Sequence, residues 1–322
     1  MRAIVTALSL ALTMSAVTMS AASAQEFPSR PIRLVAPFSA GGPTDFAARL
    51  FAEHFQQKIG QPIVVENRPG ASGVPGTEAA MASDPDGYTL VVGGIAPIAL
   101  VPAVKKLRYD VEKDMAPLGL IWRSPQVLAV RATLDVKTVK DLVAYANKNP
   151  GKVSVGSAGV GTVTHLAGLL FEQEAALKLI HVPYRSTSNS VTDLVGGQID
   201  MIFGNDVILL PHIKSGAVKA LAITSKDRST LLPELPTMEE AGFPKVQTEV
   251  WFGVFASSRI PAPVLKKLEA AVEETQRDPQ YRAALLKRGV VINAIGAKAL
   301  GAFVTEESQR WAPILRATGV KF

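Results

Sequence analysis

Two glycine-bearing segments hold the residues best able to do chemistry. The first, Pro37-Phe38-Ser39-Ala40-Gly41-Gly42-Pro43-Thr44-Asp45, joins an apolar β-branched run to an amphipathic stretch. Paired glycines let a ligand approach the backbone. A helix starting there would turn unpaired N–H groups and the positive end of its dipole toward a carboxylate or phosphate. The segment also reads as a tight turn with Thr44 as its N-cap. The second segment, Gly156-Ser157-Ala158-Gly159-Val160-Gly161-Thr162-Val163-Thr164-His165, again stands between a strand pattern and a helix pattern. Its G-x-x-G-x-G spacing is not the dinucleotide fingerprint and lacks the G-K-[ST] ending of a Walker A loop, so neither NAD nor ATP is expected, and no other cofactor. Ser157 and Thr162 supply hydroxyls, and the glycine N–H groups form a nest for an anion. His165 either donates into a cleft from the first turn of the helix or is a part-buried histidine with no ligand role. Facing each other, the two loops could hold the two ends of a dianion.

Other chemistries find little support. The chain has no cysteine, which excludes disulfides, thiolate-ligated zinc, iron–sulfur clusters and thiol nucleophiles. His54, His181 and His212 share no metal-ligand spacing, and no metal site is expected. There is no G-x-S-x-G elbow, H-E-x-x-H or S-x-x-K set. Asp45, Asp193, Asp200 and Asp206 read as caps or solvated acids. Ser157 with His165 and a cleft aspartate is the triad that could be assembled, which keeps a secreted hydrolase or isomerase open as a rival.

The elements that must position these loops alternate. Ile32–Ala36 reads as a strand, and Phe46, Leu50, Phe51, Phe55 and Ile59 then recur at helical spacing up to a C-cap at Gly60. Strands follow at 63–65 and 89–92, with a short helix ending at Met81 between them. A second series has strands at 127–130, 153–155, 180–182, 199–203 and 218–223, with helices at 139–148, from Thr162, and through Leu194. The order predicts an α/β protein whose sheets are mainly parallel. After Pro236 an apolar run at 250–255 leads into helices near 261–277, 279–288 and 297–315. That helical tail is too small for a sheet of its own and should pack back on the first unit. With crossings near Ser124-Pro125 and Gln247, the first domain is then discontinuous, 25–124 plus 248–322, around a second domain at 125–247.

The 322 residues carry 34 Lys and Arg against 28 Asp and Glu, a net +6. The cations are scattered, with short pairs such as Lys105-Lys106, so nucleic acid is not an expected partner. Arg2, an apolar small-residue stretch to Met19 and the Ala22-Ser23-Ala24 site read as a secretory leader, cleaved after Ala24.

Beyond these local readings, the order of motifs resembles one family. Ser29-Arg30-Pro31-Ile32, Gly41-Gly42-x-x-Asp45, Val65-Glu66-Asn67-Arg68-Pro69-Gly70, Asp86-Gly87-Tyr88-Thr89-Leu90, Val182-Pro183-Tyr184-Arg185, Asp193-Leu194-x-Gly196-Gly197-Gln198-Ile199-Asp200 and Ala222-Ile223-Thr224-Ser225 are similar to the extracytoplasmic receptors of tripartite tricarboxylate transporters, also called the Bug receptors. The resemblance covers essentially the whole chain after the leader. It implies a periplasmic, monomeric, non-enzymatic two-domain binding protein of type II-like fold that closes on a carboxylate and delivers it to the transporter's membrane components. A ligand-feeding partner of a sensor kinase would use the same binding chemistry. The first loop matches at Phe38, Gly41, Gly42, Thr44 and Asp45 and the second at Gly156, Ser157, Gly159, Gly161, Thr162 and His165; the residues expected to touch the ligand are Phe38, Ser39, Ala40, Gly41, Gly42 and Thr44, and Ser157, Gly159, Gly161, Thr162 and His165. Gly204 and Asn205 join them on the resemblance. Gly204 stands where members often carry an acid, and a cleft lacking that acid would suit a larger plain diacid, including an aromatic, phthalate-type one. At Gly93–Pro97 the chain departs from the family's polar pattern, so an apolar patch is expected on that side of the pocket.

Overall fold

The computed structural model describes residues 26–288, 290 and 295–318. The leader expected over 1–24 lies outside the described residues. The first half is built on β1 (Ile32–Ala36), flanked in parallel by β2 (Ile63–Asn67) and β3 (Thr89–Gly94). Helix α1 (Pro43–Ile59) and the short α2 (Val74–Met81) return the chain between these strands. Gly60 ends α1 in the left-handed conformation, φ 80°, its N–H bonding back to the Gln56 carbonyl. At the other end of α1 Gly42 is the N-cap and Pro43 the first helical residue, so Thr44 sits inside the helix and does not cap it. Proline at that position loses no hydrogen bond, because the first N–H groups of a helix have no acceptor in any case.

One long strand, β4 (Met115–Arg131), serves both halves. From Met115 to Pro125 it runs antiparallel to β9 (Glu249–Ser257), which in turn pairs with β3. From Gln126 onward its partners are β7 (Met201–Asn205) and β8 (Val218–Ile223). The change of partner falls between Pro125 and Gln126. The chain returns near Thr248, whose N–H bonds to the Thr224 carbonyl at 3.1 Å just before β9 begins. Side chains tie the two crossings together: Gln126 Nε2 donates to Thr248 Oγ1 at 3.1 Å, and Thr224 Oγ1 accepts from the Gln126 N–H at 3.0 Å.

In the second half β5 (Ser154–Ser157) lies parallel to β7 and to β6 (Ile180–Pro183). Helices α4 (Val139–Lys148), α5 (Val163–Glu174), α6 (Thr187–Val195) and α7 (Asp206–Lys214) connect its strands. Two expectations need correction here. The sheets are parallel only toward their outer strands, because β4 and β9 run against their neighbours through the centre. And β4 is far longer than the expected 127–130; its prolines sit where the strand shifts register or changes partner, positions at which a missing N–H is tolerated.

After β9, α8 (Ala262–Arg277), α9 (Pro279–Leu286) and α10 (Ala297–Thr318) pack back on the first half; α3 (Val111–Asp114) is a single turn before β4. α10 is pinned by Glu307, whose Oε2 accepts both the Trp251 indole N–H at 3.1 Å and the Trp311 indole N–H at 3.2 Å. Both tryptophans are fully buried. No described helix is long and apolar enough to cross a membrane.

Candidate ligand-binding site

The C-terminal ends of the parallel strands lead into helices, and three helix N-termini converge on one cavity of about 60 Å³. α1 contributes Gly42 and Thr44; α5 contributes Thr162 and Thr164; α6 contributes its N-cap Ser186 and Thr187. A helix cannot satisfy its own first N–H groups, so each of these ends directs donors and a partial positive charge toward whatever lies between them. No lysine, arginine, histidine or carboxylate is among the residues described as lining this cavity. Its remaining wall is apolar, formed by Phe38, Ile95, Ala96, Val250 and Phe252. The apolar patch expected at 93–97 is therefore present, with Gly94, Ile95 and Ala96 lining the cavity just before a π-turn at Ala96–Leu100.

Each glycine loop is held by its own hydrogen bonds. Gly41, at φ 77°, donates its N–H to Asp45 Oδ2 at 3.0 Å, and Arg49 Nε lies 2.9 Å from the other carboxylate oxygen. Burial pushes the Asp45 carboxyl upward, but bonds from Arg49, the Gly41 N–H and Asn67 outweigh it and leave the pKa lowered. In the second loop Thr162 Oγ1 donates to the Gly159 carbonyl at 2.7 Å, while Thr164 Oγ1 accepts the Ala158 N–H at 2.9 Å. Gly159 and Gly161 take φ of 121° and 73°, conformations that favour glycine.

His165 looks away from the cavity. Its Nδ1 accepts the Gly161 N–H at 3.1 Å and its ring stacks on His181 at 3.9 Å. Burial, with His181 close by, lowers its pKa to about 4, so the ring is neutral and acts as an acceptor that shapes the loop. Ser157 Oγ lies 2.7 Å from His181 Nε2, not from His165. Neither Ser157 nor either histidine lines the cavity. The Ser157–His165 triad is therefore not assembled.

Of the residues matched to the site, the structure brings Phe38, Gly42, Thr44 and Thr162 to this cavity. Ser39 and Gly159 line a larger adjoining groove, and Phe38 lines both. Ala40 and Gly41 are exposed at the rim, and Ser157, Gly161 and His165 brace the second loop from behind. Gly204 requires correction. A Cβ there would point at Leu209 Cδ1, 2.9 Å away, and Ile202 Cδ1, 3.3 Å away, inside the apolar cluster behind β7. Side chains alternate along a strand, which puts residue 204 on the face of Ile202. An acid there would enter that cluster. Asn205 is buried as the N-cap of α7, accepting from the Val207 N–H at 3.1 Å and donating to Ser124 Oγ beside the crossing.

Beyond the two glycine segments and the 93–97 patch, the cavity is lined by Ser186, Thr187, Val250 and Phe252, which were not anticipated. Ser186-Thr187 carried a usable signal: a hydroxyl pair at the end of a strand and the start of a helix repeats the arrangement of the two glycine loops without the glycines. Val250 and Phe252 carried none, because only the pairing of β9 with β3 and β4 brings them to the cavity.

Two hydrogen bonds join the halves across this site. Ser72 Oγ donates to the Val160 carbonyl at 2.6 Å, and Ser188 Oγ donates to the Gly41 carbonyl at 2.9 Å. Ala71 and Ser72 adopt φ of 34° and 55°, an uncommon conformation for residues with a Cβ.

Two α/β halves joined by paired extended crossings, with helix N-termini turned on one small cavity, define an α/β protein of the periplasmic-binding-protein-like class. The chain belongs to the tripartite tricarboxylate transporter family receptors, whose family model matches residues 47–320. It is 35% identical to Protein BugT of Bordetella pertussis over 301 residues, covering 93% of this chain and 92% of that one. Among solved structures it is similar to Rpa4515 of R. palustris with adipate, at TM-score 0.87 and 30% identity over 92% of this chain and 99% of the other. It is also similar to MatC of Rhodopseudomonas palustris with bound malate, at TM-score 0.84 and 32% identity over 90% and 100% of the two chains. The family is one of solute receptors and not of catalysts, which removes the hydrolase alternative.

Proposed function

We infer that the protein is a periplasmic receptor for a small carboxylate, which it captures between its two halves and hands to the membrane components of a tripartite tricarboxylate transporter. The observation that carries this reading is the convergence of three helix N-termini on a cavity lined by no charged side chain. Such a site suits an anion held by backbone N–H groups and hydroxyls. It does not suit an amino acid, whose ammonium would need an acidic partner. The malate bound to MatC and the adipate with Rpa4515 support a dicarboxylate. The apolar wall of Phe38, Ile95, Val250 and Phe252 gives a hydrocarbon or aromatic spacer a place to lie, so a phthalate-type acid stays within the proposed class. Gly204 lends that choice no support. Residues 25–124 with 248–322 and residues 125–247 are the two domains of this reading, hinged at the crossings, and the protein acts as an exported monomer.

Thermal unfolding with a panel of mono-, di- and tricarboxylates tests the proposal. A ligand at about 100 times its Kd stabilises by about 2.7 kcal/mol. A rise in Tm with a subset of dicarboxylates is the expected result. Unchanged melting with every acid overturns it.

A further inference from the structure

Beside the small cavity, on the other side of Phe38, lies an open groove of about 990 Å³. Its walls come from both halves: residues 69–78 and 101–108 on one side, 158–160 and 184–185 on the other. Lys105, Lys106 and Arg108 project from the first wall and Arg185 from the second. Lys106, Arg108 and Arg185 are exposed, and none of them is in an ion pair among the described residues. Glu78 is the acid among the described lining, and its Oε1 is engaged by the Arg108 backbone N–H at 3.3 Å. Between the cations the surface is largely apolar. The Ser72–Val160 hydrogen bond joins the two walls.

We propose that this groove is a distal anion subsite, which receives the second charged end of an elongated diacid whose first carboxylate rests at the helix N-termini; the proposal builds on the carboxylate-receptor reading above. The small cavity falls well below the several hundred Å³ typical of a pocket that encloses a whole ligand. A diacid longer than its first carboxylate and a few carbons must continue past Phe38. What it meets there is an apolar channel rimmed by cations. The chemistry selected is carboxylate, apolar spacer, second anion. Because Lys106 and Arg108 lie on one wall and Arg185 on the other, an anion between them attracts both halves, and occupancy of the groove favours the closed form.

Calorimetry on the full mature chain tests this with a series of unbranched diacids from four to eight carbons and the monocarboxylate of each length, using wild type, Arg185→Ala and Lys106→Ala/Arg185→Ala. The substituted side chains are exposed, so the fold should survive, and circular dichroism melting checks that it does. The expected result is a loss of about tenfold or more for the long diacids in the double variant, with the four-carbon diacid and the monocarboxylates little changed. The long-diacid affinity should also fall with added salt more steeply in wild type than in the variant, since exposed charges are screened. Equal affinities for long diacids in wild type and both variants overturn the subsite while leaving the receptor reading intact. A defect in transport with diacid affinities unchanged also overturns it, and assigns the cations to docking of an acidic membrane partner. No binding by any acid removes the receptor reading and the subsite together.

Discussion

Replacing Gly42 by valine separates closure of the cleft from folding of the loops. Gly42 has φ −87° and ψ 172°, which any residue adopts, so the backbone carries no strain in the variant. A Cβ built there lies 3.4 Å from the Ser39 carbonyl oxygen and 3.9 Å from Ser186 Cβ across the cleft. Alanine therefore fits. Valine adds methyls about 1.5 Å further out, and one of them must face either the carbonyl or Ser186. Directed at Ser186 it arrives at about 2.5 Å, against a preferred carbon–carbon separation of about 3.5–4 Å. The halves must then part by about 1 Å, enough to break the Ser188–Gly41 and Ser72–Val160 hydrogen bonds. At about 1 kcal/mol each, that is about 2 kcal/mol, or about thirtyfold in Kd. Isothermal titration with the dicarboxylate found by the melting panel should give this loss for Gly42→Val and less than about threefold for Gly42→Ala, with Tm of the free proteins unchanged. Wild-type affinity in Gly42→Val would refute the reasoning and remove α1 from the site. Gly161 cannot serve the same purpose. At φ 73° a side chain costs about 1–2 kcal/mol in backbone strain, so its variants confound folding with binding.

Two buried groups should oppose each other in the acid range. Burial raises the Asp206 carboxyl to about 6 despite the bond from Ser229, so the native state holds that proton more tightly than the unfolded chain, and stability rises as pH falls from about 6 to 4. His165, lowered to about 4, works the other way, with stability lost as pH falls from about 6.5 to 4. Each is worth roughly 3 kcal/mol, so Asp206 offsets part of the acid loss that His165 shares with His181, whose pKa burial also lowers. Asp206→Asn should then be more stable than wild type at pH 7 and lose stability more steeply than wild type on acidification, and parallel profiles for the two would contradict the assignment. The Ser72→Ala/Ser188→Ala double variant should release ligand roughly thirtyfold faster at unchanged Tm, and stopped-flow displacement reads this directly. Glu307→Ala strands two buried indole N–H groups, which should cost about 2–5 kcal/mol in urea unfolding; a loss below 1 kcal/mol would mean α10 is held by packing alone.

What the sequence by itself determined is local. The periodicity of 46–59 and the glycine after it set α1 and its end to the residue, and the helix read from Thr162 begins one residue later, at Val163. These signals lie within a turn or two of chain and depend on backbone freedom and capping, so they are legible without a fold. The two glycine loops, and hence half of the cavity, came from the same kind of signal. What only the tertiary structure decided is where side chains face and which distant segments meet. The pattern reads as a strand over 127–130, yet β4 extends back to Met115, because its first part pairs with β9 and its partner changes to β7 between Pro125 and Gln126. His165 had the right position to donate into the cleft, but the ring of His181, sixteen residues further on, draws it to the back of the loop. Gly204 was placed by resemblance on the cleft side. The two-residue repeat of a strand, once β7 is paired in register with β4, puts it with Ile202 on the opposite face. A shift of one residue in that register would reverse the assignment, and register is a property of two strands and not of one.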